Sequence, residues 1–345
     1  MKKRYIVFLL FFIFVSCEKE ELAINIEGCT DETASNYNQY ANISNYEMCK
    51  YGSTITQIPL TVDYRYQVYY NMNSKNIIST NLKTDWDLAF ENGNEGFHVK
   101  INSSKFSQIT EINNISFEDV NSFSNPIWKW DNPNSSLDST AIGDYRNSNN
   151  TVWILDRGYN INGNPIGYKK FIIDTVTNNY YRIKYANLDN SETIIVQIEK
   201  NKNTNFTQYS FKTNAIVEIE PPNNSWDLLF TQYTELFEDN IDVPAYLVTG
   251  VLTNHESGIK VAIDNYNNFD SITYNIATSY SFSSQQDAIG YNWKNFDFDN
   301  NIYTVNSNIN YLIKDSQERY FKLRFINFYN QEGEKGYPTF EIEKL

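Results

Sequence analysis

Trp86-Asp87-Leu88-Ala89-Phe90 returns 140 residues later as Trp226-Asp227-Leu228-Leu229-Phe230. Two further signals keep the same order. Ile142-Gly143-Asp144-Tyr145 is echoed by Ile289-Gly290-Tyr291-Asn292, and Tyr181-Arg182-Ile183-Lys184-Tyr185 by Phe321-Lys322-Leu323-Arg324-Phe325. Solenoid repeats recur roughly every 20–50 residues, so a set repeated at this longer period is a duplicated domain-sized unit. The expected organisation is a first β unit at 54–200 and a second at 201–345. Their boundaries fall near Tyr51-Gly52-Ser53 and in the polar run Asn201 to Asn205.

The runs between turns have strand length and strand chemistry. Tyr66 to Tyr70, Phe97 to Ile101, Val152 to Leu155, Ile194 to Ile198 and Tyr246 to Leu252 are rich in β-branched and aromatic residues. Gly (13) and Pro (8) are scarce, and Asn, one residue in seven, supplies the turns. Two hairpins stand out: Phe171 to Ile173 returning as Tyr181 to Tyr185, and Tyr311 to Ile313 returning as Phe321 to Phe325. In the second, period-2 alternation sends Phe321, Leu323 and Phe325 to the core and Lys322 and Arg324 to water. Helical spacing is confined to Phe117 to Phe123 and Gln285 to Trp293. The predicted fold is mainly β, with two tandem related antiparallel units and few short helices.

Composition narrows the chemistry. A formal charge of -14 disfavours nucleic acid, whose phosphates reward the opposite sign. Two His and three Cys are too few for a multi-His metal centre, a tetra-Cys zinc site or an iron–sulfur cluster. Hydrolase triads are left with His98 and His255, so a binding protein is expected rather than an enzyme.

The N-terminus sets the expected address. Lys2, Lys3 and Arg4 precede an apolar run from Tyr5 to Val15, shorter than the roughly 20 residues a spanning helix needs. Phe14-Val15-Ser16-Cys17 resembles a bacterial lipobox, which makes 1–17 a lipoprotein signal with Cys17 as the lipidated residue. The acidic linker 18–27 opens with Glu18-Lys19-Glu20-Glu21, which looks like the export signal of Bacteroidetes surface lipoproteins. The expected location is the outer membrane, with the chain displayed at the cell surface by its lipid. Cys29 and Cys49 then form an even pair, expected to be a disulfide in an oxidising compartment. Within this Cys-bounded spacer at 28–51, Asp31, Asn36, Asn38 and Asn42 could face Ca²⁺ or, more simply, make Asx-turns.

An ordered motif set in the second half resembles HmuY-like lipoproteins of Bacteroidetes. It runs from Ser225-Trp226-Asp227-Leu228-Leu229-Phe230-Thr231 through Ile289-Gly290-Tyr291-Asn292-Trp293 and Tyr320 to Phe325, ending Gly336-Tyr337-Pro338-Thr339-Phe340. The first half resembles it more loosely and lacks that ending. The resemblance implies an almost all-β fold and capture of haem, or of haem from a haemoprotein, for an outer-membrane uptake receptor. Family members clamp the iron between two His or Met side chains beyond the Trp-Asp motif. Neither half here has such a pair, so no family ligand is carried over.

The residues leave specific candidates. His255, in Asn254-His255-Glu256-Ser257-Gly258 after an apolar strand, reads as a solvated hairpin tip or as an axial haem ligand paired with Tyr233 or with a residue of a second molecule. His98 reads as a surface strand residue. Trp86, Asp87, Trp226 and Asp227 read as structural, a ring in the core and a carboxylate tying a strand end. Lys322 and Arg324 are the cations available for haem propionates. Glu235, Glu238, Asp239 and Asp242, and Asp297, Asp299 and Asn300, read as surface charge, with Ca²⁺ binding or acid–base chemistry as the alternative. No resident metal is expected. The rival to haem capture is a non-catalytic surface interaction or adhesin module without a haem site.

Overall fold

The computed structural model describes residues 24–147, 150–237, 240 and 242–345, so Cys17 and the acidic run Glu18 to Glu21 lie outside the described residues. The chain up to Cys49 and the chain from Lys50 are two compact units. In the first, Glu27–Gly28 pairs in parallel with Ile43–Ser44, and Cys29 is bonded to Cys49, as expected. The Asx side chains hold this segment in shape. Asp31 Oδ1 accepts from the Thr33 amide at 2.8 Å, Asn38 Oδ1 from Tyr40 at 3.0 Å and Asn42 Oδ1 from Ile26 at 2.8 Å, while Asn36 Nδ2 donates to the Met48 carbonyl.

From Lys50 onward the described chain is mainly antiparallel β. One five-stranded sheet has the order Ile194–Glu199, Tyr180–Ala186, Tyr168–Val176, Thr151–Asp156, Gln108–Asn113. The other follows the same plan: Thr54–Gln57, Lys335–Lys344, Tyr320–Tyr329, Asn310–Lys314, Lys260–Asp264. Each faces a four-stranded sheet. These are Ala215–Val217, Phe206–Ser210, Leu88–Glu91, Val99–Ile101, and Asn76–Leu82, Tyr66–Asn71, Leu228–Leu236, Ala245–Thr253. Both hairpins read from the sequence are present, with Phe171 opposite Tyr185 and Tyr311 opposite Leu323.

The sheets cut across the sequence halves. The hairpin that precedes each Trp-Asp pairs with the strand that follows the other one. Tyr70, Tyr69 and Val68 lie opposite Leu228, Leu229 and Phe230, whereas Tyr209, Gln208 and Thr207 lie opposite Leu88, Ala89 and Phe90. One β assembly is therefore the contiguous stretch 86–217, and it is inserted into a second built from 54–82 and 226–344. Each has its own core: Leu88, Phe90, Trp153, Phe171, Tyr185 and Tyr209 in the inserted assembly, Val68, Tyr70, Phe230, Trp293, Leu323 and Phe340 in the outer one. Ile142 and Ile289 occupy matching places in the two cores, each followed by a glycine at φ +65 or +64.

Three expectations are corrected. The structural counterpart of Tyr320–Tyr329 is Tyr168–Val176, the middle strand of the other five-stranded sheet, not Tyr181 to Tyr185. Lys322 does not face water: it is 3% exposed, and its ammonium donates to the Phe269 and Ile272 carbonyls at 3.0 and 3.3 Å. Lys170 does the same to Phe117 and Val120 at 2.8 and 2.7 Å. In each assembly the second face of the five-stranded sheet is covered by a segment packed over it, so alternation marks two buried faces rather than one wet and one dry. The third concerns helix: Phe117–Asp119 is a single 3₁₀ turn, 285–293 has no helix, and the short α-helix is Tyr274–Thr278, capped by the Thr273 side chain.

The aspartates of the two Trp-Asp pairs tie down the fold, and differently in the two assemblies. Asp87, 1% exposed, meets the Lys105 ammonium at 2.5 Å and the Arg157 guanidinium at 2.9 Å and accepts the Phe211 amide at 2.7 Å. Burial acts to raise its pKa, but the two cations hold it below the ordinary carboxylate value. Asp227 accepts the Met72 amide at 2.7 Å and has no ion-pair partner within 4 Å among the described residues, and burial pushes it up to about 6.

Candidate functional site

Strand alternation gives each four-stranded sheet two apolar faces. Val68, Tyr70, Leu228 and Phe230 point into the outer core, so Gln67, Tyr69, Leu229 and Tyr233 point the other way. There they meet the inserted assembly. The Trp86 indole donates to Gln67 Oε1 at 3.1 Å, Gln67 Nε2 donates to Ser104 Oγ at 2.8 Å, and Thr234 Oγ1 donates to the Ser103 carbonyl at 2.8 Å. Along this seam lies a cavity of about 120 Å³, with Trp86, Lys100 and Phe206 on one side and Tyr69, Trp226 and Tyr233 on the other. Tyr69 and Trp226 meet edge to face, ring centres 4.9 Å apart.

The turn that carries His255 is built by its neighbours. The Asn254 side chain donates to the Asn223 and Trp226 carbonyls at 2.7 and 2.9 Å, and Gly258 closes the 3₁₀ turn at φ +89, a left-handed conformation suited to glycine. Asn102 makes the matching clamp on Lys83 and Trp86, both at 2.8 Å, which puts Ser103 where the outer assembly has His255. His255 is thus not a solvated tip. Its side chain is 14% exposed, its Nε2 lies 3.2 Å from Glu256, and it lines the cavity.

Two residues that line this cavity carry a buried polar atom with no hydrogen-bond partner among the described residues, His255 Nδ1 and Trp226 Nε1; Tyr233 lines it too, and its hydroxyl sits against the Glu235 side chain. Buried polar groups without partners are rare, and the two beside this void can take hydrogen-bonding atoms from elsewhere, water or ligand. Lys100 donates to Ser135 Oγ and lies 4.3 Å from the Phe206 ring centre, its pKa lowered by burial. Two carboxyls stand near it, Asp131 buried and Glu220 half-buried. Asp131 accepts the Ile101 and Ala141 amides, both at 2.8 Å, and is pushed up to about 6. Glu220 accepts the Asn205 and Phe206 amides and is pushed up to about 7, burial being the main cause in both.

The structure brings together four of the residues singled out in the sequence, His255, Tyr233, Trp86 and Trp226. His98 stays apart: it is 8% exposed, not a surface residue, with Nδ1 2.6 Å from Glu91 and its ring stacked on Phe97. Lys322 is committed to carbonyls and Arg324 to Glu341 at 2.7 Å, so neither cation serves the cavity. Asp297 ties its own turn through Asn300, and Glu238 and Asp239 lie outside the described residues. Among the described residues no group of three or more His, Cys, Asp and Glu could hold a metal ion. Sequence reading missed Gln67, Tyr69, Lys100, Asp131 and Glu220. The signal available was parity, since Gln67 and Tyr69 alternate with Val68 and Tyr70.

Pockets that enclose drug-sized ligands run to about 300–1,000 Å³. At about 120 Å³ this cavity admits an axial side chain's partner atom, a small polar molecule or a few waters, and not a whole porphyrin. The donors suit an iron or oxygen atom; the volume does not suit the macrocycle.

Seven chains of solved structure match, among them a candidate HmuY-like heme-binding protein from Bacteroides vulgatus at 14% identity, covering 84% of this chain and 90% of that one, TM-score 0.23. Others are apo PinO from Porphyromonas gingivitis (7% identity, 86% and 97% covered, TM-score 0.27) and the apo HmuY analog of Tannerella forsythia (9%, 86% and 96%, 0.20). No curated protein matches. The family described as "HmuY protein" matches at residues 63–202 and again at 201–342, and on these two tandem matches the chain belongs to the HmuY family.

Proposed function

We propose that this chain is a non-catalytic haem-binding protein, held at the outer surface of the outer membrane by lipid on Cys17 and passing its cargo to an uptake receptor. Family membership supports the ligand class, and one observation about this chain carries the site. His255, with an imidazole nitrogen that has no hydrogen-bond partner among the described residues, and Tyr233 line one aromatic-walled cavity. Imidazole and phenolate are both established ligands of haem iron. The cavity is smaller than the macrocycle, so binding requires the seam to widen. The Gln286 amide's hydrogen bond to the Asn134 carbonyl at 3.1 Å is one of the ties that must yield.

Titration of the purified chain with haem tests the reading. A Soret shift at micromolar protein, lost in His255→Ala and red-shifted differently in Tyr233→Phe, is the expected result; a free-haem spectrum throughout overturns it. The small cavity and the lack of a second His or Met ligand favour one other reading, an interaction module that holds no haem. That reading predicts the unchanged spectrum.

A further inference from the structure

Two family units in one chain suggest two binding sites. We infer instead that the two repeats share one composite site per chain, created by the exchange of their leading hairpins. The family matches, 63–202 and 201–342, each contain a hairpin and the Trp-Asp strand that follows it. Neither hairpin pairs with its own Trp-Asp strand. Tyr66–Asn71 is hydrogen-bonded to Leu228–Leu236, and Phe206–Ser210 to Leu88–Glu91. The exchange sets the faces Gln67–Tyr69 and Phe206–Gln208 toward one another across the seam, and the cavity lined by His255, Trp226 and Tyr233 lies between them.

The two copies have also diverged across that cavity. Where the outer assembly offers His255, the matching turn offers Ser103. Where the inserted assembly offers Lys100 two residues before its clamping Asn102, the outer one has Leu252 two residues before Asn254. Each copy supplies a polar group that the other lacks. Neither alone carries a complete site, and a chain holds one.

The exchange is tested on the full chain without any ligand. A protease recognition sequence is inserted in the exposed turn between Lys202 and Asn203, and Ala89→Cys is combined with Gln208→Cys. Those positions face each other across the antiparallel pair, where Cα atoms lie about 4.5–5.5 Å apart, within disulfide range. After cleavage, the expected result is one species at the mass of the uncut chain on size exclusion. The double-cysteine form should run as one band without reductant and as two with it. Two separating fragments, or two bands in both lanes, overturn the inference. Tyr69→Cys with Leu229→Cys probes the other exchanged pair in the same way, should the first variant not fold.

The stoichiometric part rests on the haem reading. One equivalent of haem per chain, before and after cleavage, supports a shared site, and two equivalents overturn it. Absence of any haem binding sinks the haem reading, while the cross-link still decides the exchange by itself.

Discussion

Neutralising the two repeat aspartates should move stability in opposite directions, although they occupy the same place in the duplicated motif. In Asp87→Asn the Lys105 ammonium, 1% exposed, loses its carboxylate in the interior, and Arg157 loses a bidentate partner. Breaking a buried pair from one side costs about 3–5 kcal/mol, because the remaining charge stays desolvated. Asp227 has no such partner. Its folded pKa, about 6, lies above the unfolded value near 3.9. The folded state therefore holds the proton more tightly, and the contribution of this group is full below about pH 4 and is lost as pH rises through 6. A rise of that size corresponds to about 3 kcal/mol. Asp227→Asn keeps an oxygen for the Met72 amide and removes the charge, so it should stabilise by up to about 3 kcal/mol at pH 8 and change little at pH 4. Urea unfolding followed by Trp fluorescence at pH 4, 6 and 8 measures both variants. Equal signs at pH 8, or an Asp227→Asn effect that does not grow between pH 4 and 8, would refute the electrostatic account.

Lys322→Met should cost about 2–4 kcal/mol, because the Phe269 and Ile272 carbonyls lose their donor while the side chain's volume is kept; amide exchange should accelerate at 269–277 before the sheet itself loosens. Gly158→Ala should cost more than about 2 kcal/mol. The residue sits at φ +67, and a Cβ there would fall 2.0 Å from the carbonyl oxygen of Lys105, the partner of Asp87; chemical denaturation checks the loss. Glu220→Gln should flatten the stability profile between pH 5 and 8, since a carboxyl raised to about 7 by burial ceases to favour the folded state as pH climbs through that value; thermal melts across the range measure it. Cys17→Ser should abolish fatty-acid labelling and release the chain from the membrane fraction of expressing cells, and retention of label would remove the proposed anchor.

What the chain alone determined is local. Alternation within Phe321 to Phe325 and within Tyr66 to Tyr70, with Asn at the turns, was enough to place strands and hairpins, because a strand's two faces are written in adjacent residues. The repeated Trp-Asp announced a duplication for the same reason: equivalent packing positions demand equivalent residues. The tertiary structure decided which strand of which copy each hairpin would join. Tyr70 lies beside Leu228 and Tyr209 beside Leu88, and nothing in the sequence distinguishes two partners with nearly the same apolar pattern. That choice took His255 from an apparent loop tip to a cavity wall and set Lys100 across from Tyr233, while the segment carrying Phe269 and Ile272 closed over Lys322. Burial of a polar group depends on what covers it, and the covering segments come from far along the chain.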